Sequence, residues 1–144
     1  MYQLKERPLD NRSEVPTQDL APHPTLKGYY GTDKQRQDFL NDLFNRFASD
    51  YDWIHKVASM GSSMWHRRRA LRKAGLREGM SLLDIACGTG PVIQCARNIV
   101  GSSGSIVGLD PSTGMMHEIR RKGLSAHLAQ GIAEYLPFRD NSFD

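Results

Sequence analysis

Two aspartates and a pair of glycines carry the strongest chemical signal in this sequence. Asp84 lies in the apolar segment LLDIA, Gly88 and Gly90 follow in CGTG, and Asp110 comes 20 residues after Gly90. Glycine permits a sharp turn and lets a ligand approach the backbone closely. A carboxylate at the end of a following strand can accept both hydroxyl groups of a ribose. This spacing therefore predicts a site for a nucleoside.

The segments around these residues alternate between short apolar runs and amphipathic stretches. The patterns predict strands over 81–86, 105–110 and 125–130, and helices over 91–100 and 112–122. Strands that alternate with helices form a parallel sheet with right-handed crossovers. We therefore expect an α/β, Rossmann-like fold with helices on both faces of the sheet. Ligands of such sheets bind outside the carboxyl ends of the strands, which is where the aspartates and glycines lie.

Two nucleoside cofactors fit this arrangement to different degrees. The dinucleotide fingerprint GxGxxG is incomplete here, because Ile93 stands at its third glycine. A carboxylate at Asp84 would also repel a pyrophosphate, whereas it would attract a cation. S-adenosylmethionine carries a sulfonium and an ammonium group and has no phosphate. The residues therefore favour S-adenosylmethionine, and an NAD-binding module remains the alternative.

The chain before residue 77 has a different character. Residues 1–31 contain four prolines and lack apolar periodicity, which predicts a disordered or strap-like tail. Residues 32–76 predict a helical entry segment made of three pieces: a helix with an apolar stripe at 39–47, a second piece from 53, and a third over 63–74 that ends at Gly75. Residues 77–144 then form the first half of the Rossmann-like domain.

Longer stretches of the chain resemble a known family. LLDIACGTG, GLDPSTGMM and AEYLPFRDNSFD are similar to successive motifs of class I S-adenosylmethionine-dependent methyltransferases. The upstream stretch LFNRFASDYDWIHKVASMGSSMWHRR resembles the entry segment of the ubiquinone/menaquinone biosynthesis C-methyltransferases. The resemblance covers residues 39–144. It implies an enzyme that transfers a methyl group from S-adenosylmethionine to a small molecule, with a quinone precursor as one acceptor.

The resemblance also implies roles for single residues. Asp84 would lie near the amino-acid end of the cofactor. Gly88, Thr89 and Gly90 would form the turn against it, with Thr89 in polar contact, and Asp110 would take the ribose hydroxyls.

Two further positions would line the adenine, namely Ile132 and Ala133. Family members more often have Asp or Asn at the position of Ile132, so this chain would lack one side-chain bond to the adenine amino group. The entry segment also departs from the family pattern, since His55 replaces an Asn. These departures bear on the acceptor, for which no catalytic base is assigned.

Other functions stay open at this stage. The basic run from Arg67 to Lys73 would suit methylation of a phospholipid head group or of RNA. A non-catalytic cofactor-binding remnant, or half of a split enzyme, is a further alternative. The end of the chain at Asp144 predicts a sheet truncated after its third strand, which would need a homodimer partner or a C-terminal complement to cover its edge.

Composition bears on the partners and the cellular location that we expect for the protein. Lys and Arg total 19 and Asp and Glu total 16, and a net charge of +3 does not by itself indicate a nucleic-acid partner. No apolar run is long enough to span a bilayer, and no signal-peptide core is visible, so we expect a cytoplasmic protein with at most peripheral membrane contact. The histidines lack metal-ligand spacing, so no metal site is predicted. We expect Cys87 and Cys95 to be reduced.

Overall fold

Three parallel strands form the centre of the fold, which the computed structural model describes over residues 28–29, 31–58 and 63–144. The strands are β1 (Ser81–Ile85), β2 (Ser105–Asp110) and β3 (His127–Gln130), in the order β1-β2-β3. β1 and β2 pair in parallel from Ser81 with Ser105, and β2 pairs in parallel with β3 up to Asp110 with Gln130. The predicted parallel sheet is therefore confirmed, with β2 at its centre.

Four helices accompany the sheet in the described part of the chain. They are α1 (Asp33–Ala58), α2 (Ser63–Lys73), α3 (Pro91–Val100) and α4 (Thr113–Arg121). α3 connects β1 to β2 and α4 connects β2 to β3, as the alternation of patterns predicted. α3 begins at Pro91, whose missing N–H is harmless in a first turn. α4 begins after Ser112, whose Oγ accepts a hydrogen bond from the backbone N–H of Met115 at 3.1 Å.

The two faces of the sheet are covered differently. Successive strand residues point to opposite faces. Leu82 packs in a cluster that includes Ile93 of α3 and Ile119 of α4, whereas Leu83 packs in a second cluster with Phe138. Among the described residues, both crossover helices thus lie on one face. The sequence predicted helices on both faces, and the second face instead carries aromatic residues of the segment after β3.

α1 differs from its prediction. The sequence predicted one helical piece around 39–47 and another from 53, but the structure has a single helix from Asp33 to Ala58. The helix continues because the residues between these pieces include neither glycine nor proline. Its start was predicted correctly: the Oγ1 of Thr32 accepts a hydrogen bond from the N–H of Gln35 at 3.2 Å.

The predicted apolar stripe of α1 is not a buried core. Its side chains remain between 37% and 49% exposed: Phe39, Leu40, Leu43, Phe44 and Phe47. Ala48, by contrast, is buried. α1 instead contacts the sheet domain mainly through α4.

Other element boundaries follow from identifiable contacts. α2 ends before Gly75, which has a φ of 99° and whose N–H donates to the carbonyl of Arg72 at 3.1 Å. β1 ends one residue earlier than predicted, because Ala86 has a φ of 57°. β3 starts at His127, two residues later than predicted. The carbonyl of Ser125 accepts a hydrogen bond from the side chain of Arg97 at 2.7 Å. Of the tail predicted over 1–31, residues 1–27 and residue 30 lie outside the described residues.

The second face of the sheet leads to a test of stability. Phe138 is buried and its ring meets Phe143 edge to face at 5.3 Å, so Phe138→Ala should remove about 3 kcal/mol of unfolding free energy in urea denaturation. Tyr135→Ala is the matched control, because Tyr135 is 40% exposed and its truncation should cost well under 1 kcal/mol. Equal losses in the two variants would show that the segment does not cover the sheet.

Candidate functional site

The turn after β1 is built from residues in the left-handed region of φ. Ala86, Gly88 and Gly90 have φ values of 57°, 53° and 84°. The N–H of Cys87 donates to the carbonyl of Leu109 at 3.0 Å, which holds the turn against β2. A Cβ on Gly88 would meet nothing within 4 Å, so the backbone of Gly88 borders open space. The turn therefore offers a bare stretch of backbone at the carboxyl end of β1.

The two glycines of the turn serve different purposes. A Cβ on Gly90 would lie 2.8 Å from Cδ1 of Leu124 and 3.0 Å from Cγ1 of Ile119. Gly90 is therefore needed for packing of the turn against α4 and the segment that follows it, in addition to its positive φ. Gly88, in contrast, has open space where a side chain would lie.

Thr89 lies between these glycines and is only 1% exposed. Its carbonyl accepts a hydrogen bond from Nζ of Lys122 at 2.8 Å, which ties the turn to the end of α4. The polar contact predicted between Thr89 and a cofactor stays a prediction. In the structure, Thr89 helps to anchor the turn.

Asp110 ends β2 beside the turn and is 6% exposed. Its Oδ2 accepts a hydrogen bond from the N–H of Gly88 at 2.8 Å, and its Oδ1 accepts one from the N–H of Ser112 at 2.9 Å. A carboxylate has about four acceptor positions, so both oxygens can accept a further hydrogen bond. The two amides thus orient the carboxylate without exhausting its capacity to bind hydroxyl groups.

Asp84 lies on β1 close enough to Asp110 for their charges to interact. Burial, together with the charge of Asp110, raises the pKa of Asp84 from 3.8 to about 6, and the charge of Arg67 partly opposes this shift. Its Oδ2 is buried and has no hydrogen-bond partner among the described residues. A buried carboxylate oxygen without a donor is costly in free energy, which is typical of a functional position.

Cys87, inside the turn, experiences the same environment. Its thiol is buried, and burial together with the charges of Asp84 and Asp110 raises its pKa to about 12. Cys95 is also buried, and both cysteines are free thiols, as the sequence predicted.

The segment after β3 completes the same edge of the sheet. The N–H of Gly131 donates to the carbonyl of Asp110 at 3.2 Å, and the N–H of Tyr135 donates to the carbonyl of Ile132 at 3.2 Å. Ile132 is half-buried and Ala133 is exposed. The structure therefore brings Asp84, the glycine turn, Asp110 and the start of this segment to one edge, as the sequence predicted for the carboxyl ends of parallel strands.

Two residues of α1 and α2 also reach this edge: Asn45 was not named from the sequence, and Arg67 was named only as part of a basic run. Arg67 of α2 acts electrostatically on Asp84, and Asn45 of α1 contacts the start of α4. The Oδ1 of Asn45 accepts hydrogen bonds from the Oγ of Ser112 at 2.7 Å and from the N–H of Gly114 at 2.8 Å. A Cβ on Gly114 would lie 2.9 Å from Cα of Asn45. The sequence did contain one sign of this contact, because Gly114 in the first turn of α4 allows the backbone of another helix to approach closely.

In the described part of the chain, no group of three or more His, Cys, Asp or Glu side chains could hold a metal ion. The described helices include none that is long and apolar enough to cross a membrane.

Comparison with known proteins gives a consistent result. The model of the ubiE/COQ5 methyltransferase family matches residues 31–144. The chain is 33% identical to the demethylmenaquinone methyltransferase of Staphylococcus aureus over 114 residues, which are 77% of this chain and 47% of that protein. It is 34% identical to the ubiquinone/menaquinone biosynthesis C-methyltransferase UbiE of Shewanella woodyi over 131 residues, covering 86% and 52%. The chain therefore spans about half the length of the curated relatives it matches.

Solved structures agree on the fold. A protein of Methanococcus maripaludis described as an S-adenosyl-L-methionine-dependent methyltransferase superposes with a TM-score of 0.57 at 23% identity, covering 69% of this chain and 47% of its own. A DhpI–SAM–HEP complex superposes with a TM-score of 0.50 at 26% identity, covering 62% and 40%. The three parallel strands and their helices thus match a Rossmann-like methyltransferase fold.

The raised pKa of Asp84 predicts how stability depends on pH. Between pH 3.8 and about 6 the folded state binds the Asp84 proton more tightly than the unfolded state does. The contribution of this group is therefore fully present below about pH 4 and is lost as the pH rises through about 6. The loss is on the order of 2–3 kcal/mol, so Asp84→Asn should be more stable than the unsubstituted protein near pH 7.

Urea denaturation across this pH range measures the effect. The unfolding free energy of the unsubstituted protein should fall relative to that of Asp84→Asn between about pH 4 and about pH 7. Asp140→Asn is the control, because Asp140 is exposed, and it should keep the pH dependence of the unsubstituted protein. Parallel curves for the unsubstituted protein and Asp84→Asn would contradict a strained carboxylate at this position.

Proposed function

Since the chain belongs to the ubiE/COQ5 methyltransferase family, we propose that it binds S-adenosylmethionine and supports methyl transfer to a small-molecule acceptor. The proposal rests on the family, on the Rossmann-like fold and on the chemistry of the edge formed by β1 and β2. A single observation carries it: the buried Oδ2 of Asp84 has no donor among the described residues.

This orphaned oxygen fits the charge of the cofactor. A carboxylate in that position is stabilised by a cation or by N–H donors, and the amino-acid end of S-adenosylmethionine supplies an ammonium group. A diphosphate would add negative charge beside two carboxylates that already raise the pKa of Cys87. The geometry therefore supports a cationic nucleoside over the NAD alternative.

The remaining residues fit the rest of the cofactor. Asp110 is oriented by two backbone amides and keeps acceptor capacity for the ribose hydroxyls. The open backbone at Gly88 permits close approach. Ile132 and Ala133 follow Gly131, whose N–H donates to the carbonyl of Asp110. They therefore lie near the proposed ribose site and would supply apolar surface for the adenine.

For methyl transfer, the main task of this part of the chain is to position the methyl donor; proton transfer is secondary. Bound S-adenosylmethionine supplies an electrophilic methyl carbon, which an acceptor attacks in line while the carbon–sulfur bond breaks. The chain contributes by aligning the donor and by shaping a site with limited water. An acceptor that reacts at a ring carbon beside a phenol also needs a base, and none is assigned among the described side chains.

A hydrophobic quinone precursor is the acceptor that we propose, because the relatives are named for menaquinone and ubiquinone biosynthesis. The half-exposed apolar side chains of α1 provide surface for such a molecule, and Asn45 holds α1 against the start of α4 beside the cofactor edge. Methylation of a phospholipid head group or RNA, and a non-catalytic role, are the alternatives. Two free buried thiols support a reducing compartment such as the cytoplasm.

A strand partner is a further part of the proposal. β1 pairs with β2 on one side. On its other side, at Ser81, the backbone N–H donates to the Asp144 carboxylate at 2.8 Å and the carbonyl accepts from the Asp144 N–H at 3.0 Å. These bonds support the addition of a strand along β1, from a second copy or from a C-terminal complement.

Calorimetric titration with S-adenosylmethionine tests the cofactor proposal. The full chain should bind S-adenosylmethionine in preference to NADH, and Asp84→Asn should weaken binding roughly 10- to 100-fold because a charged hydrogen bond is lost. Affinity should rise as the pH passes through about 6, where Asp84 becomes ionised, and should level off at higher pH.

Stability measurements separate this result from unfolding. Asp84→Asn should bind more weakly while being more stable near pH 7, a combination that damage to the fold cannot produce. Asp140→Asn should bind as the unsubstituted protein does. Tighter binding of NADH, or unchanged S-adenosylmethionine affinity in Asp84→Asn, would refute the proposal.

Position 132 gives a test in the opposite direction. Ile132→Asn would restore a side-chain acceptor for the adenine amino group, and one such hydrogen bond is worth about 1 kcal/mol. Affinity for S-adenosylmethionine should therefore increase about five-fold in the same titration. Ile132→Leu, which adds no polar group, should leave affinity nearly unchanged; equal affinities in all three proteins would place the adenine elsewhere.

A further inference from the structure

α2 carries an unusual concentration of positive charge. Its eleven residues, SMWHRRRALRK, include five arginines and lysines and no acidic residue. One side of the helix packs on the sheet domain: Leu71 contacts the main core cluster, and the carbonyl of Met64 accepts a hydrogen bond from the Cys95 thiol at 3.5 Å. The packing leaves the arginines on the remaining surface of the helix.

Four residues of this surface form a continuous feature, which we call the α2 patch: Trp65, Arg68, Arg69 and Arg72. They line a shallow groove of about 340 Å³. Trp65 is 58% exposed, and the guanidinium of Arg69 lies 5.3 Å from the centre of its ring. Among the described residues, no carboxylate forms a salt bridge with the three arginines.

The α2 patch combines two chemical features. Guanidinium groups attract phosphate, and each basic side chain close to an anionic bilayer strengthens binding to it. An exposed indole is the side chain that prefers the boundary between water and lipid. The stacking of Arg69 on Trp65 keeps charge and aromatic ring adjacent, so that both can meet the same surface.

We propose that the α2 patch docks the protein on the surface of a membrane that contains anionic phospholipids. The contact is peripheral, with arginines at the phosphates and Trp65 at the level of the head groups. The docking itself depends only on the patch. Its benefit rests on the proposed function, since a hydrophobic quinone acceptor would be concentrated in the bilayer.

A membrane fits the patch better than RNA does. The basic surface is confined to about three turns of one helix, and the whole chain has a net charge of only +3. RNA-binding proteins usually present a more extended basic surface or several stacking aromatic residues. A single indole beside clustered arginines matches the composition of an interfacial anchor.

Vesicle co-sedimentation of the full chain tests the proposal. The protein should bind vesicles of equimolar phosphatidylglycerol and phosphatidylcholine, and should bind phosphatidylcholine vesicles much more weakly. Replacing Arg68, Arg69 and Arg72 with Gln should reduce binding to the anionic vesicles roughly 100-fold, from the usual contribution of three basic residues. High salt should weaken vesicle binding by the unsubstituted protein and should have little effect on the residual binding of this variant.

A second triple variant with the same change in net charge provides the control. Arg77, Arg120 and Arg139 are also exposed, so their replacement with Gln tests whether charge alone matters. This control should retain most of its vesicle binding, and Trp65→Ala should lose part of the binding without a change in charge. Equal losses in the two triple variants, or no binding by the unsubstituted protein, would overturn the proposal.

Competition and cofactor titration complete the design. Inorganic phosphate should displace no more protein from vesicles than a simple salt does at the same ionic strength. Specific displacement by phosphate would assign the patch to a free phosphate compound and overturn the membrane proposal. Stronger binding to a single-stranded RNA than to anionic vesicles would assign the patch to RNA and refute the membrane. All variants should keep the affinity for S-adenosylmethionine, so that failure of docking and failure of the proposed function are distinguishable.

Discussion

Two carboxylates lie close together on neighbouring strands at a partly buried edge, and the need to satisfy their oxygens shapes the residues around them. Asp110 meets it by accepting hydrogen bonds from two backbone amides. Asp84 does not, since one of its oxygens is buried without a donor and its pKa rises to about 6. The fold thus holds one satisfied and one unsatisfied carboxylate side by side. The unsatisfied one is the group that a cationic ligand would stabilise.

The elements outside the sheet act mainly by steadying this edge. Lys122 holds the glycine turn through the carbonyl of Thr89, and Asn45 holds α1 against the start of α4. α2 contributes Arg67, whose charge moderates the repulsion at Asp84. α1 and α2 are therefore more than an approach to the domain, because each supplies a polar side chain to the region that the strands create.

The sequence predicted the sheet and the site better than it predicted the surroundings. Asp84, the glycine turn and Asp110 could be placed together because parallel strands bring their carboxyl ends to one edge. The roles of Arg67, Asn45 and Lys122 could not be predicted, because they depend on contacts between residues more than 15 positions apart that periodicity does not report. The single helix α1 was predicted in two pieces, whereas the residues between them include neither glycine nor proline to end the helix.

The proposed binding of a methyl donor at this edge has a consequence for the thiol of Cys87, which lies in the glycine turn. Thiolates are strong nucleophiles, and a sulfonium compound alkylates them readily, whereas a neutral thiol reacts slowly. The same burial and the same two carboxylates that prepare the edge for a cation also raise the pKa of Cys87 to about 12. Burial and this negative charge therefore keep the sulfur protonated, which would protect the turn from alkylation if S-adenosylmethionine binds here as proposed.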